Sequence, residues 1–157
     1  MLFRSIQAAA IPQMLTGQDL IAQAQSGTGK TGCFSTGVLS RINQDSPRNQ
    51  AIILSPTREL AQQTHSVITD LGKFMKGLKL SLVIGGTSTK SCISELAENP
   101  SVIIGCPGRV YDMLERGLIS GGDIKLLVID EADEMLSSGF RDQIYDIFQY
   151  LSKESQV

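Results

Sequence analysis

The chain has 157 residues, three cysteines and a net charge of −2 at neutral pH. This length is typical of one domain with a sizeable core, and the small net charge argues against non-specific electrostatic capture of nucleic acid. The widely spaced Cys33, Cys92 and Cys106 argue against a zinc site or a disulfide framework and predict reduced, mostly buried thiols. The sequence has neither a membrane-length apolar run nor a signal-peptide pattern, so the expected location is intracellular, with the cytoplasm favoured over the nucleus.

Helix and strand patterns alternate along the chain. Short apolar runs bounded by glycine, proline or polar residues predict strands at 19–23, 49–55, 78–86, 101–105 and 125–130. Stretches between and around them predict helices at 5–15, 30–43, 57–75, 89–97, 108–116 and 140–151. Strands that are apolar almost throughout are typical of a parallel sheet buried under helices on both faces, so the predicted class is α/β. No repeat or linker is visible, which predicts a single domain over residues 1–157.

The segment AQSGTGKT at 24–31 has the spacing of a phosphate-binding loop, with alanine in place of the first glycine of the common pattern. It lies between a predicted strand and a predicted helix, as the motif requires. Gly27 and Gly29 allow a tight turn that brings backbone N–H groups against phosphate oxygens, and the helix adds its positive end. Lys30 is expected to neutralise the β- and γ-phosphates, and Thr31 to ligate Mg²⁺. The complete predicted cradle is Ala24, Gln25, Ser26, Gly27, Thr28, Gly29, Lys30 and Thr31. The alternative is a loop of no special role.

KLLVID at 125–130 predicts a buried strand that ends in a carboxylate. Ligands of open α/β sheets bind at the carboxyl ends of the strands, so Asp130 is a candidate Mg²⁺ ligand, directly or through water. Glu131 is placed to orient or deprotonate the water that attacks the γ-phosphate. A helix cap at Asp130 with a first-turn charge at Glu131 is the alternative. Taken with the loop, the segment predicts one nucleoside triphosphate site whose catalytic residues are Lys30, Asp130 and Glu131.

Three further segments follow predicted strands, namely PTRELAQ at 56–62, GG at 85–86 and CPGR at 106–109. Each places small or turn-forming residues beside a helix start, and Arg58 and Arg109 add guanidinium groups. Amides, helix N-termini and a few arginines can hold a sugar–phosphate backbone without a strong net charge. The segments therefore suggest an RNA partner. Ordinary turn and capping chemistry is the alternative for each of them alone.

The motifs AQSGTGKT, PTRELAQQ, GG, PGR and DEAD, in this order, resemble the N-terminal RecA-like domain of a DEAD-box RNA helicase. The stretch DEADEMLSSGFRDQIYDIFQ closely resembles the translation initiation factor four-A group of that family. The resemblance covers essentially the whole chain and implies a RecA-like P-loop NTPase domain of an enzyme that uses ATP and Mg²⁺ to separate short RNA duplexes. It also implies a scaffold protein of the initiation-factor type as a possible partner.

The same resemblance assigns roles residue by residue. Gln7 matches the glutamine that reads the adenine edge, a task suited to an amide because it both donates and accepts hydrogen bonds. Ala132 and Asp133 would couple the nucleotide site to neighbouring motifs. The residues expected to face RNA are Pro56, Thr57, Arg58, Gly86, Pro107, Gly108 and Arg109.

The sequence departs from the family pattern at a few positions. Phe3 and Arg4 stand where the family has Pro and Ser or Thr, the aromatic that stacks on adenine would lie upstream, and Cys106 replaces a threonine. A Ser-Ala-Thr strand would begin just after Val157, so we expect a domain truncated before that strand, with a slot left in the sheet. The second RecA-like domain, whose arginine finger is worth roughly three or more powers of ten in turnover, would be missing as well.

These features lead to three hypotheses. In the first, the chain is the ATP- and RNA-binding core of an ATP-dependent RNA helicase and turns over weakly or not at all by itself. In the second, it is a non-catalytic fragment that occupies RNA or a protein partner. The third is a P-loop nucleotide enzyme unrelated to RNA, which conflicts with PTREL and PGR.

Overall fold

The computed structural model describes residues 5–137 and 139–157. Within these ranges the strands are β1 (Ala51–Leu54), β2 (Leu80–Val83), β3 (Val102–Gly105) and β4 (Leu126–Ile129). They form one parallel sheet in the order β2-β3-β1-β4. The predicted α/β class and the parallel sheet are therefore confirmed.

The helices connect the strands in the predicted alternation. They are α1 (Ser5–Met14), α2 (Lys30–Arg41), α3 (Arg58–Gly72), α4 (Thr89–Ala97), α5 (Pro107–Glu115), α6 (Ala132–Ser137) and α7 (Arg141–Tyr150). The predicted cap of α3 is present, because the Leu60 N–H donates to the Thr57 hydroxyl over 3.2 Å. Of the helices in the described ranges, none combines the length and the apolar character that crossing a bilayer demands.

The sheet is covered on both faces, because alternate residues of each strand supply two different hydrophobic cores. Ala51 and Ile53 of β1 pack with side chains of α2 and α3. Ile52 and Leu54 point the other way and pack with side chains of α4, α5, α6 and α7. All four residues of β1 are fully buried, which explains why its sequence is apolar throughout.

The strand predicted at 19–23 is wrong, since residues 19–25 have no regular secondary structure. A strand needs a neighbour that accepts and donates backbone hydrogen bonds. Among the described residues, this segment forms two hydrogen bonds with Val157, which lies between the segment and β4. The Leu20 N–H donates to the Val157 carbonyl over 2.9 Å, and the Asp19 carboxylate accepts from the Val157 N–H over 2.9 Å. Pairing at one end does not order the rest of the segment as a strand.

A slot separates β4 from the 19–25 segment. Gln156 occupies one end of it, where its carbonyl accepts from the Leu127 N–H over 2.8 Å and its N–H donates to the Lys125 carbonyl over 2.9 Å. The rest of the slot is a cavity of about 730 Å³ lined by β4, α1 and the segment itself.

Candidate functional site

The loop before α2 owes its shape to two glycines. Gly27 has a φ of 76° and Gly29 a φ of 95°, in the left-handed region that other residues rarely adopt. The Thr28 hydroxyl donates to the Gln25 carbonyl over 2.6 Å and closes the turn. The N-cap of α2 is Gly29, which has no side chain to cap the helix, so first-turn N–H groups of α2 remain available to an anion.

The two motifs predicted to share one nucleotide meet beside this loop. The Lys30 Nζ lies 3.7 Å from the Glu131 Oε1. Both residues and Asp130 line the same cavity, which also extends into the slot. A phosphate above the N-terminus of α2 would therefore lie between an ammonium group and two carboxylates. The remaining predicted site residues along this cavity are Ala24, Ser26, Ala132 and Asp133.

Asp130 directly follows β4 and is 9% exposed. Its N–H donates to the Leu54 carbonyl over 2.9 Å, which fixes the backbone against β1. Burial raises the pKa of its carboxyl group, and the negative charge of Glu131 raises the pKa further, while the Glu131 N–H and the Lys30 ammonium oppose this shift. A carboxylate in this position is stabilised by an additional cation. Carboxylate and hydroxyl oxygens, such as those of Asp130 and of Thr31, the residue after Lys30 in the chain, are donors of the kind that Mg²⁺ prefers.

Glu131 has a backbone conformation that the sequence does not predict. Its φ is 49°, in the left-handed region where a residue with a Cβ is strained by about 1–3 kcal/mol. Residues of this kind cluster at functional sites. Glu131 lies between the end of β4 and the start of α6, and its carbonyl accepts from the Met135 N–H over 3.0 Å. The sharp change of direction brings the carboxylate back towards Lys30.

Gln7 approaches the loop from α1. Its Nε2 donates to the Gly29 carbonyl over 3.4 Å, and a Cβ on Gly32 would lie 3.1 Å from the same nitrogen. The side chain is therefore next to the phosphate loop. Phe3 and Arg4, which depart from that pattern, lie outside the described residues.

The three segments suggested to face RNA lie side by side, because β1, β3 and β2 are neighbours in the sheet and the segments follow their carboxyl ends. Arg58 is exposed, and its guanidinium lies against Gly85 and Gly86, which has a φ of 82°. Pro56 and Pro107 are buried. Their side chains shape the turns before α3 and α5 and offer little surface to a ligand.

Arg109 is directed into the protein. Its Nη2 donates to the Thr89 hydroxyl over 2.9 Å and to the Thr87 carbonyl over 3.3 Å, and its Nη1 lies 3.5 Å from the Asp112 carboxylate. Thr87, Thr89 and Asp112 are functional candidates that sequence reasoning missed. The spacing of Asp112 three residues after Arg109 on a predicted helix was the signal that could have found one of them.

Comparison with known proteins identifies the family. Residues 4–157 match the family model described as DEAD/DEAH box helicase. The chain belongs to this family. The protein named ATP-dependent RNA helicase eIF4A from Pyricularia oryzae is 50% identical over 153 residues, which are 98% of this chain and 38% of that protein. The protein of the same name from Neurospora crassa has the same identity and the same coverage.

Solved structures of DEAD-box proteins have the same fold. S. cerevisiae Dbp5 bound to RNA and ADP BeF3 has a TM-score of 0.88 at 39% identity, over 98% of this chain and 39% of that chain. A DEAD box protein from the hyperthermophile Methanococcus jannaschii has a TM-score of 0.89 at 36% identity, over 96% of this chain and 41% of that chain. The resemblance to this family and the RecA-like fold are therefore confirmed. The chain spans about two fifths of the length of the relatives it matches.

Proposed function

We propose that the chain is the ATP- and RNA-binding domain of an ATP-dependent RNA helicase that couples ATP hydrolysis to local separation of RNA strands. The observation that carries the proposal is the 3.7 Å approach of the Lys30 Nζ to the Glu131 Oε1, beside a helix N-terminus whose N-cap is the glycine Gly29. The names of the relatives support a helicase. The presence of RNA and ADP BeF3 in the Dbp5 structure supports RNA and ATP as the two ligands.

The phosphate groups of ATP would bind the first-turn amides of α2 and the Lys30 ammonium. A bound phosphate competes with Glu131 for this ammonium, so ATP would replace the present ion pair by a stronger one. Gln7 would contact the adenine edge, because it lies beside the loop and its amide both donates and accepts hydrogen bonds.

The donor set fits Mg²⁺. No cluster of three or more histidine, cysteine, aspartate or glutamate residues that could hold a metal occurs within residues 5–137 and 139–157. Mg²⁺ differs from metals that need such a cluster, since it binds one or two carboxylates together with phosphate oxygens and water. Asp130 and Thr31 would hold the ion, and the ion when bound would neutralise charge on the phosphates.

Glu131 would orient the attacking water and accept its proton. Its side chain is 39% exposed, so water can reach it. Ala132 and Asp133 line the same cavity at the start of α6 and would connect the nucleotide site to neighbouring segments.

RNA would bind at the ends of β1, β2 and β3. The proposed contacts are the exposed guanidinium of Arg58, the exposed backbone of Gly86, and the N-terminal ends of α3 and α5 near Thr57 and Gly108. These groups recognise a sugar–phosphate backbone and carry little sequence information. The RNA proposal therefore predicts affinity with weak sequence preference.

Full turnover would need a second RecA-like domain, because an arginine finger supplies roughly three or more powers of ten in rate. A scaffold protein of the initiation-factor type and a cytoplasmic location are further proposals, supported by the name of the relatives. A non-catalytic fragment is not favoured, because Lys30, Asp130 and Glu131 remain together at one cavity.

The proposal is tested by titrating the chain with a fluorescent ATP analogue and by measuring ATP hydrolysis with and without single-stranded RNA. Lys30→Ala is expected to weaken nucleotide binding about tenfold or more, since it removes a charge-assisted contact. Lys153→Ala is the matched control, because Lys153 is exposed and does not line the cavity. Equal nucleotide binding by Lys30→Ala and the unchanged protein would contradict the proposal. Hydrolysis that rises with RNA and vanishes in Lys30→Ala would exclude the non-catalytic fragment.

A further inference from the structure

Arg109 is committed to contacts within the protein, although the family pattern predicts that it faces RNA. Its side chain is 17% exposed. The Nη2 binds the Thr89 hydroxyl and the Thr87 carbonyl, and the Nη1 pairs with Asp112. The Nε is buried and has no partner among the described residues. This guanidinium is therefore poorly placed to meet a phosphate group directly.

Asp112 holds Arg109 in this orientation. Its Oδ2 lies 3.5 Å from the Arg109 Nη1, and its Oδ1 accepts from the Arg116 Nε over 2.8 Å. The carboxylate thus compensates part of the positive charge of Arg109 and keeps the side chain pointed at the start of α4. Arg58 differs from Arg109 in exposure and in pairing. It is exposed, and within residues 5–137 and 139–157 it forms no described ion pair.

The loop that Arg109 binds is the one that carries Gly86. Within this loop, which covers residues 84–89, the Thr87 hydroxyl donates to the Ile84 carbonyl over 3.0 Å, and the Thr87 carbonyl accepts from Arg109. Gly86 has an exposed backbone, and the Arg58 guanidinium lies against it. The loop is therefore contacted by two arginines, Arg58 at its glycines and Arg109 at its threonines.

We propose that Arg109 is a positioning residue that fixes the 84–89 loop against the start of α5. By holding Thr87 and Thr89, it keeps Gly86 and the Arg58 guanidinium in the arrangement that meets the RNA backbone. The inference rests on the proposed RNA-binding function and deepens it, because it separates the arginine that touches RNA from the arginine that orders the surface.

The salt dependence of RNA binding distinguishes the two roles. Each phosphate that a single-stranded RNA shares with a cationic side chain contributes about 0.7 to the slope of log affinity against log salt concentration. We expect Arg58→Gln to lower this slope by about 0.7 and Arg109→Gln to leave it unchanged. Both Arg109→Gln and Thr89→Val are expected to weaken binding about fivefold, the equivalent of one hydrogen bond. The double variant should bind no more weakly than either single variant.

Arg109→Lys provides a conservative variant, because it keeps the charge but loses the planar fork. We expect it to behave like Arg109→Gln, since a positioning role needs the fork. A slope that falls by about 0.7 in Arg109→Gln, together with unchanged affinity in Thr89→Val, would overturn the proposal. Full retention of affinity by Arg109→Lys would overturn it as well.

Amide hydrogen exchange tests the positioning role without RNA, so its outcome is independent of the proposed function. Exchange at the Cys92 amide, which donates to the Ser88 carbonyl of this loop over 3.1 Å, is expected to rise in Arg109→Gln and in Thr89→Val. Arg116→Gln is the matched control, because Arg116 binds the same carboxylate but does not contact the loop. Unchanged exchange in both variants would overturn the positioning role, whereas a failure of the unchanged protein to bind RNA would count only against the proposed function.

Discussion

The guanidinium of Arg58 lies against the backbone of Gly86, in the space that a Cβ on Gly86 would occupy. The absence of a side chain at position 86 therefore serves two purposes. It permits the left-handed φ of 82°, and it leaves room for a charged side chain against the loop. The relationship joins two segments that are far apart in sequence and that the family pattern assigns separately to RNA.

Gly86→Ala is expected to weaken RNA binding, because the new methyl group displaces the Arg58 guanidinium and strains the loop. The strain alone should lower the free energy of unfolding by about 1–2 kcal/mol. Gly117→Ala is the matched control, since Gly117 has a φ of 69° with open space around its Cβ position. Comparable losses of stability with RNA affinity lost only in Gly86→Ala would support the role. Equal RNA affinity in both variants would exclude it.

Glu131→Gln is expected to separate nucleotide binding from hydrolysis. The amide keeps the shape of the side chain but cannot accept a proton from water, so hydrolysis in an RNA-stimulated assay should fall by about two powers of ten or more. Nucleotide affinity should be retained or increased, because Lys30 no longer pairs with a competing carboxylate 3.7 Å away. Equilibrium titration and single-turnover hydrolysis give the two quantities. Parallel losses of binding and hydrolysis would contradict the assignment.

Asp130→Asn is expected to stabilise the nucleotide-free protein at neutral pH. Because the native-state pKa of Asp130 is raised, mainly by burial, the native protein binds this proton more tightly than the unfolded chain does. The ionised carboxylate therefore lowers the free energy of unfolding at pH 7. This penalty fades as the pH falls through the native-state pKa towards the ordinary aspartate value of 3.8.

Urea unfolding at pH 7.5 and at pH 4.5 measures this effect. The advantage of Asp130→Asn over the unchanged protein should be larger at the higher pH. Asp133→Asn is the control, because Asp133 is exposed in the first turn of α6. Loss of its negative charge removes a favourable interaction with the helix dipole, so this variant should be slightly less stable than the unchanged protein. A destabilised Asp130→Asn at pH 7.5 would show that the carboxylate is satisfied without a bound cation.

The strands and most helices could be predicted from the sequence because their patterns are local. The Ala51–Leu54 strand is apolar on both faces, and Thr57 is a recognisable N-cap residue. The prediction of a strand at 19–23 was wrong because strand formation depends on a neighbouring strand, and a local sequence pattern does not show whether one is present. The inward direction of Arg109 depends on Thr89 in another helix, and the left-handed φ of Glu131 is not encoded by a glycine or an asparagine.

The hydrogen-bonding pattern of β4 gives a last prediction about the slot. In a parallel strand, alternate N–H groups point to opposite neighbours. The Asp130 N–H donates to Leu54 of β1, and the Leu127 N–H donates to Gln156, so the Ile129 N–H faces the open part of the slot.

Amide hydrogen exchange is therefore expected to be slow at Asp130 and Leu127 and markedly faster at Ile129. Addition of an extended apolar peptide that pairs with this edge should slow exchange at Ile129 without affecting Asp130. Equal protection of Ile129 and Asp130 in the chain alone would mean that the edge of β4 already has a partner, because an amide exposed to water in a slot has no other source of protection.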